Sequence, residues 1–222
     1  MKTIGLIGGM SWESTSLYYS ALNQGVRETL GGLHSAKICL YSVDFHEIEQ
    51  LQHLGKWQDT ADVLVKAAKS LEAGGADLLL ICSNTMHKVA AEVQAAVKIP
   101  LLHIADATAN ELLTNGITKV GLLGTAFTMQ QEFYKGRLVE EFGIEVITPS
   151  ADQQQRVHEV IYQELCLGQI DKESKRYYLN VIEDLFDQGA QAIILGCTEI
   201  TLLVQQADTS IPLYDTTAIQ DQ

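Results

Sequence analysis

The stretch DLLLICSNT, residues 77–85, joins an apolar run to a cluster of small polar side chains. A short, uninterrupted apolar run such as residues 77–81 is typical of a strand that is buried on both faces of a parallel sheet. Ligands of open α/β sheets lie beyond the carboxyl ends of the strands. The polar residues 82–85 are therefore the first candidates for a ligand site.

Apolar runs and amphipathic stretches alternate on both sides of this strand. In the first half of the chain the predicted strands are residues 3–7, 37–42, 77–81 and 99–103, and the predicted helices are residues 12–30, 60–73 and 86–97. Alternating segments of these lengths predict an α/β fold in which helices flank a mainly parallel sheet.

The second half of the chain begins the same pattern again. KVGLL at residues 119–123 resembles TIGLI at residues 3–7, and AQAIIL at residues 190–195 is another buried strand, followed by Gly196-Cys197-Thr198. The predicted helices of this half are residues 129–142, 151–167 and 172–188.

Equivalent positions in the two halves are separated by nearly equal offsets. Gly5 and Gly121 are 116 residues apart, and Thr85 and Thr198 are 113 residues apart. This spacing indicates two pseudo-symmetric lobes, and we expect the active site in the cleft between them. The predicted lobes are residues 1–103 plus 214–222, and residues 104–213.

Composition excludes several function classes. The 222 residues are 46% hydrophobic and 19% charged, and 15 Lys and Arg against 28 Asp and Glu give a net charge of −13. This balance argues against nucleic-acid and anionic-membrane partners. The apolar part of the N-terminus is too short for a secretory signal, and no window approaches the roughly 18–20 apolar residues of a membrane helix. We therefore expect a cytoplasmic protein.

Cysteines and histidines show no metal pattern. The four cysteines, Cys39, Cys82, Cys166 and Cys197, are far apart and form no CxxC pair. This spacing fits neither a disulfide framework nor a zinc site, and we expect no metal. Cys39 and Cys166 are interpreted as small buried apolar side chains.

The glycine-rich turn GLIGGM, residues 5–10, leaves two interpretations open. Its glycines do not match the GxGxxG pattern of dinucleotide-binding proteins, so a nucleotide cofactor is disfavoured. The alternative is that Gly8 and Gly9 let the backbone approach a small anion at the start of a helix that Ser11 caps. His87, five residues after Cys82, is open to two interpretations as well: it forms a Cys–His hydrolase pair, or it only covers the floor of the cleft.

Two segments carry a family resemblance. CSNTMHK at residues 82–88 and GCTEI at residues 196–200 are similar to the two active-site signatures of the cofactor-independent aspartate/glutamate racemases, and the resemblance is closest to the broad-specificity amino-acid branch. Further matches are IGGMSWEST at 7–15, SVDFHEIE at 42–49, HIADAT at 103–108, ELCLG at 164–168 and DTTAI at 215–219. The resemblance implies a two-lobed α/β fold, a small amino-acid substrate, no pyridoxal phosphate or other cofactor, and a homodimer.

The resemblance also implies the site residues, with one departure. Members with two catalytic cysteines have a Cys directly before Asn-Thr, whereas here that position is Ser83. Because consecutive residues leaving a strand point to opposite sides, Cys82 should face the core and not replace Ser83. Cys197 fits the second cysteine position. The substrate-contacting positions carry over onto Met10, Gln52, Asn84, Thr85 and Thr198.

Racemisation needs an acid or base on each face of the α-carbon. A thiol has an unperturbed pKa of about 8.5, which a nearby positive dipole lowers, so Cys197 is predicted to be a thiolate base and Ser83 a proton donor. The resemblance implies that Cys197 faces the L-isomer. Glu199 either orients Cys197 or complements the dipole of a following helix. Two alternatives stay open: a non-catalytic amino-acid-binding protein, and a lyase that resembles the arylmalonate decarboxylases.

Overall fold

The computed structural model describes residues 1–220, which divide into two compact units. The first unit is Met1–Ile104 together with Gln220, and the second is Ala105–Ile219. Each unit has a parallel sheet and a hydrophobic core of its own.

The first unit is built on a three-stranded sheet in the order β2-β1-β3. Its strands are β1 (Thr3–Gly8), β2 (Lys37–Ser42) and β3 (Leu78–Ile81), and its helices are α1 (Trp12–Leu30), α2 (Phe45–His53), α3 (Trp57–Ala73) and α4 (Ala90–Ala96), with a 3-10 helix at Thr85–Val89. Both strand pairs are parallel, and Ile7 of β1 lies beside Tyr41 of β2 and Ile81 of β3. The carboxyl ends of all three strands therefore meet at one edge.

The second unit has a four-stranded sheet in the order β5-β4-β6-β7. Its strands are β4 (Lys119–Gly124), β5 (Glu145–Ile147), β6 (Ala192–Gly196) and β7 (Leu213–Asp215). Its helices are α5 (Ile104–Thr114), which starts at the unit boundary, α6 (Ala126–Gln130), α7 (Glu132–Phe142), α8 (Ala151–Gln163), α9 (Lys172–Asp187), α10 (Ile200–Leu203) and α11 (Thr216–Gln220). All three strand pairs are again parallel. The predicted α/β fold with mainly parallel sheets is confirmed.

The internal repeat is visible in individual hydrogen bonds. The Leu79 amide of β3 donates to the carbonyl of Pro100 (2.8 Å), and the Ile193 amide of β6 donates to the carbonyl of Pro212 (2.9 Å). In both units a proline carbonyl is thus hydrogen-bonded to a buried strand, β3 in the first unit and β6 in the second. The repeat that the 116- and 113-residue spacings indicated is therefore also present in equivalent main-chain hydrogen bonds.

A predicted strand and a predicted lobe boundary differ from the structure. The predicted strand at residues 99–103 is reduced to a single bridge between Leu79 and Leu101. The sequence pattern assigns the segment after residue 213 to the first lobe, but β7 pairs with β6, and residues up to Ile219 belong to the second unit. The chain folds this way because the main-chain groups of β7 complete the free edge of β6. The remaining predicted residues of that segment, 221–222, lie outside the described residues.

Candidate active site

The carboxyl end of β3 places Cys82 and Ser83 in different environments. The Cys82 amide donates to the carbonyl of Ile7 (2.9 Å), and the Ser83 amide donates to the carbonyl of Ile81 (2.8 Å). Cys82 is fully buried in a core cluster with Leu6 and Tyr18, whereas Ser83 is partly exposed. The prediction that Cys82 faces the core is confirmed.

The residues after Ser83 are buried and lead into a 3-10 helix. Asn84 and Thr85 are 4% and 6% exposed, and Thr85 begins the 3-10 helix. His87 lies in the same helix, and its Nδ1 is 2.8 Å from the carbonyl oxygen of Ser83. Its Nε2 is 3.2 Å from the amide of Ile104, so both ring nitrogens contact main-chain atoms. These contacts favour a positional role for His87 over a hydrolase pair.

The turn after β1 explains its second glycine. Gly9 has a φ of +92°, and a Cβ at this residue would clash with the carbonyl oxygen of Val43. The Gly9 amide donates to Oγ1 of Thr15 (2.8 Å). The glycine is therefore required by the close passage of the chain after β2. Ser11 caps α1 as predicted, because its hydroxyl accepts a hydrogen bond from the amide of Ser14.

Met10 and Gln52 lie inside the first unit. They are 5% and 2% exposed, and Met10 belongs to the same core cluster as Met86. The side-chain amide of Gln52 donates to Sδ of Met86 at 3.1 Å. Helix α2 thus brings Gln52 to the 3-10 helix that starts at Thr85.

The carboxyl end of β6 carries a buried thiol and a buried carboxylate. Cys197 and Glu199 are 9% and 6% exposed, and the Cys197 thiol donates to Oε2 of Glu199 at 2.9 Å. Burial, and next the negative charge of Glu199, raise the pKa of Cys197 well above its ordinary value. Burial and this hydrogen bond therefore favour the protonated thiol over the thiolate. The expected lowering of its pKa is wrong, because desolvation and a neighbouring carboxylate both disfavour the thiolate.

Thr198 is held by the segment that follows β7. Its hydroxyl is 2.9 Å from the hydroxyl of Thr217, while the neighbouring Thr216 donates to the carbonyl of Leu195 (3.2 Å). Asp215 at the end of β7 accepts a hydrogen bond from the Thr217 amide (2.9 Å), and burial raises the pKa of its carboxyl. Thr217 is not among the predicted site residues. The DTTAI match is the only sequence signal that could have indicated it.

The described residues 1–220 include no group of three or more His, Cys, Asp or Glu side chains placed to hold a metal ion. Within the same range, no helix has the length and apolar character needed to cross a membrane.

Comparison with known proteins identifies the family of this chain. Residues 7–220 match the sequence profile of the Asp/Glu/hydantoin racemases. The chain belongs to this racemase family. It is 25% identical to the broad-specificity amino-acid racemase RacX of Bacillus subtilis (strain 168) over 97% of this chain and 93% of RacX.

Solved structures of this racemase family share the fold over the whole chain. A candidate Asp/Glu racemase from Yersinia pestis is 59% identical, with a TM-score of 0.93 over 100% of this chain and 96% of that one. An aspartate racemase homologue from Pyrococcus horikoshii OT3 is 36% identical, with a TM-score of 0.84 over 100% of this chain and 96% of that one. The matched family region includes both strand ends described above.

Proposed function

We propose that the protein is an amino-acid racemase that uses no pyridoxal phosphate and acts on aspartate, glutamate or a related amino acid. Family membership supports this class of reaction. The observation that carries the chemistry is the buried contact between Cys197 and Glu199 directly after β6. A thiol with an adjacent carboxylate has an acceptor for its proton, and deprotonation turns it into a base.

The first step removes the α-proton of the L-isomer. The proton of Cys197 passes to Glu199, and the resulting thiolate takes the α-proton, which leaves an enolate-like carbanion on the substrate. Because the pKa of Cys197 is raised, its thiolate is a strong base once formed. Hydrogen-bond donors at Asn84, Thr85 and Thr198 hold the substrate carboxylate and stabilise the developing charge.

The second step returns a proton to the opposite face from Ser83. A hydroxyl is a weak acid, but the carbanion is a stronger base than the alkoxide that the transfer leaves on Ser83, so the transfer is favourable. Ser83 is partly exposed and regains its proton from water, while Glu199 releases one to solvent. No net proton is consumed, and no oxidant or reductant is needed.

Incubation of the protein with L- and D-aspartate and L- and D-glutamate in D₂O tests the proposal. Proton NMR should show loss of the α-proton signal, and chiral chromatography should show each isomer converting to a 1:1 mixture. Hydroxylamine, which removes pyridoxal phosphate, should leave the rate unchanged. Binding without exchange would identify a non-catalytic amino-acid-binding protein, and release of carbon dioxide from a substituted malonate would identify a lyase. Either result would overturn the proposal.

A further inference from the structure

His87 is a buried titratable side chain that the proposed reaction does not use. It is 3% exposed, and its ring lies between two main-chain groups of the first unit. The carbonyl of Ser83 can only accept a hydrogen bond, so Nδ1 at 2.8 Å must carry a hydrogen. The amide of Ile104 can only donate, so Nε2 at 3.2 Å must carry none. These contacts define a neutral imidazole with its hydrogen on Nδ1.

The main chain of Ser83 is consequently held on both sides. Its amide donates to the carbonyl of Ile81, and its carbonyl accepts from His87. The 3-10 helix that carries His87 is anchored in turn, because Nζ of Lys88 lies 4.0 Å from the centre of the Trp57 ring in α3. The His87 ring therefore contacts the main chain from which the Ser83 hydroxyl extends.

We propose that His87 is a positioning residue for proton transfer by Ser83, an inference that rests on the proposed racemase function. The ring fixes the Ser83 peptide through its carbonyl and does not touch the reacting atoms. A misplacement of about 1 Å in a reacting group costs on the order of 10²-fold in rate. Loss of the His87 bond should thus slow reprotonation from the Ser83 face while proton removal by Cys197 continues.

The slower reprotonation can be measured from the way in which the carbanion divides between the two isomers of the product. In D₂O, the Cys197 thiol that holds the abstracted α-proton exchanges it for a solvent deuteron. The carbanion formed from an L-isomer then takes a deuteron from Cys197 with retention or a deuteron from Ser83 with inversion. The ratio of labelled L-product to D-product reports the competition between the two faces. Because both products come from the same enzyme molecules, the ratio does not depend on the fraction of protein that is folded.

Two substitutions separate the hydrogen bond from packing. His87→Asn places an amide N–H near the position of Nδ1, so the bond to the Ser83 carbonyl is kept. His87→Phe keeps a ring in the buried space and removes the donor. Both variants lose the acceptor for the Ile104 amide. Any difference between them therefore does not come from the loss of that hydrogen bond. His158→Asn is the control, because His158 contacts the Ala126 amide at 3.2 Å in the second unit.

We expect His87→Phe to raise the retention-to-inversion ratio about 10- to 100-fold. His87→Asn and His158→Asn should stay within about three-fold of the wild type, since the bond to Ser83 survives in both. An unchanged ratio in His87→Phe, or equal ratios in the Asn and Phe variants at position 87, would overturn the inference. Wild-type protein that exchanges no α-proton would instead overturn the proposed function.

A spectroscopic measurement tests the hydrogen bonds of His87 independently of enzyme activity. In protein labelled with ¹⁵N-histidine, long-range ¹H–¹⁵N correlation at pH 7.5 should show a neutral His87 ring with its hydrogen on Nδ1. The His87→Asn variant assigns the signal by its disappearance. A ring protonated only on Nε2, or on both nitrogens, would show that His87 does not hold the Ser83 carbonyl and would overturn the inference.

Discussion

At the scale of single residues, the pair Cys197 and Glu199 determines when the thiol becomes reactive. The negative charge of Glu199 contributes to the raised pKa of Cys197, after burial itself. Glu199→Gln removes that charge, so the thiol pKa should fall. Thiolate forms as pH rises through this pKa, and alkylation of Cys197 by iodoacetamide should therefore begin at lower pH in the variant. Peptide mass spectrometry across pH 6–10 checks this, with the half-buried Cys39 of the first unit in the same samples as the reference thiol. An alkylation profile that moves to higher pH would contradict the electrostatic account.

Substitution of Cys197 should abolish activity, whereas substitution of Cys82 should affect only stability. Cys197→Ala removes the proposed base, so α-proton exchange should fall by at least ~10²–10⁴-fold on both isomers while amino-acid binding persists. Cys82→Ala removes a fully buried core side chain, so activity should remain and the free energy of unfolding should fall by about 1 kcal/mol. Exchange assays and urea unfolding on both variants check the pair. An inactive but folded Cys82→Ala protein would show that Cys82, and not Ser83, is the reacting side chain after β3.

Ser83→Cys should strengthen the weaker of the two acid/base groups. A thiol ionises far more readily than a hydroxyl, so it is the better proton donor and its anion is available as a base near neutral pH. Racemisation should therefore accelerate. The saturated rate should rise most from the D-isomer, whose α-proton the resemblance directs at residue 83. The two enantiomers have equal free energy, so kcat/KM must increase by the same factor in both directions. Initial rates from each pure isomer measure these quantities. Unchanged rates in a folded variant would place Ser83 outside the reaction.

At the scale of elements, Gly9 in the turn between β1 and α1 provides a stability test. Its φ of +92° strains any side chain, and a Cβ at this position would also clash with the Val43 carbonyl. Gly9→Ala should cost more than about 3 kcal/mol of unfolding free energy or prevent folding. Gly143→Ala is the matched control, because Gly143 has a φ of +69° and nothing within 4 Å of its Cβ position. That variant should lose only about 1 kcal/mol in urea unfolding. Equal losses would show that the Val43 contact is unimportant.

The sequence predicts elements well where their pattern is long or fully apolar. The buried strands β1, β3, β4 and β6 are predicted because each is a continuous apolar run. The three-residue strands β5 and β7 are not predicted, since so few residues carry no periodicity and their pairing is decided by the free edges of β4 and β6.

In the candidate site too, some features follow from the local sequence pattern and others depend on tertiary packing. The placement of Ser83 and Cys197 after buried strands follows from the pattern of the strands. The raised pKa of Cys197 and the bonds of His87 could not be predicted, because burial and distances between side chains and main chain depend on the packed structure.

At the scale of the whole molecule, the net charge of −13 should influence the capture of acidic substrates. Glutamate carries one net negative charge, so the protein repels it, and salt screens this repulsion. Raising the NaCl concentration from 10 to 150 mM should therefore lower the KM for glutamate about two- to four-fold, by a Coulomb estimate for a charge of this size at the protein surface.

Glutamine is the control ligand for this prediction, because it matches glutamate in shape and has no net charge. Its binding constant, measured as a substrate or as a competitive inhibitor, should change little over the same range of salt. Chloride that competes for a carboxylate-binding site would weaken both ligands together, so the difference between glutamate and glutamine isolates the repulsion. If the two constants change in parallel, the local charges of the site outweigh the net charge, and substrate capture is not governed by the field of the whole molecule.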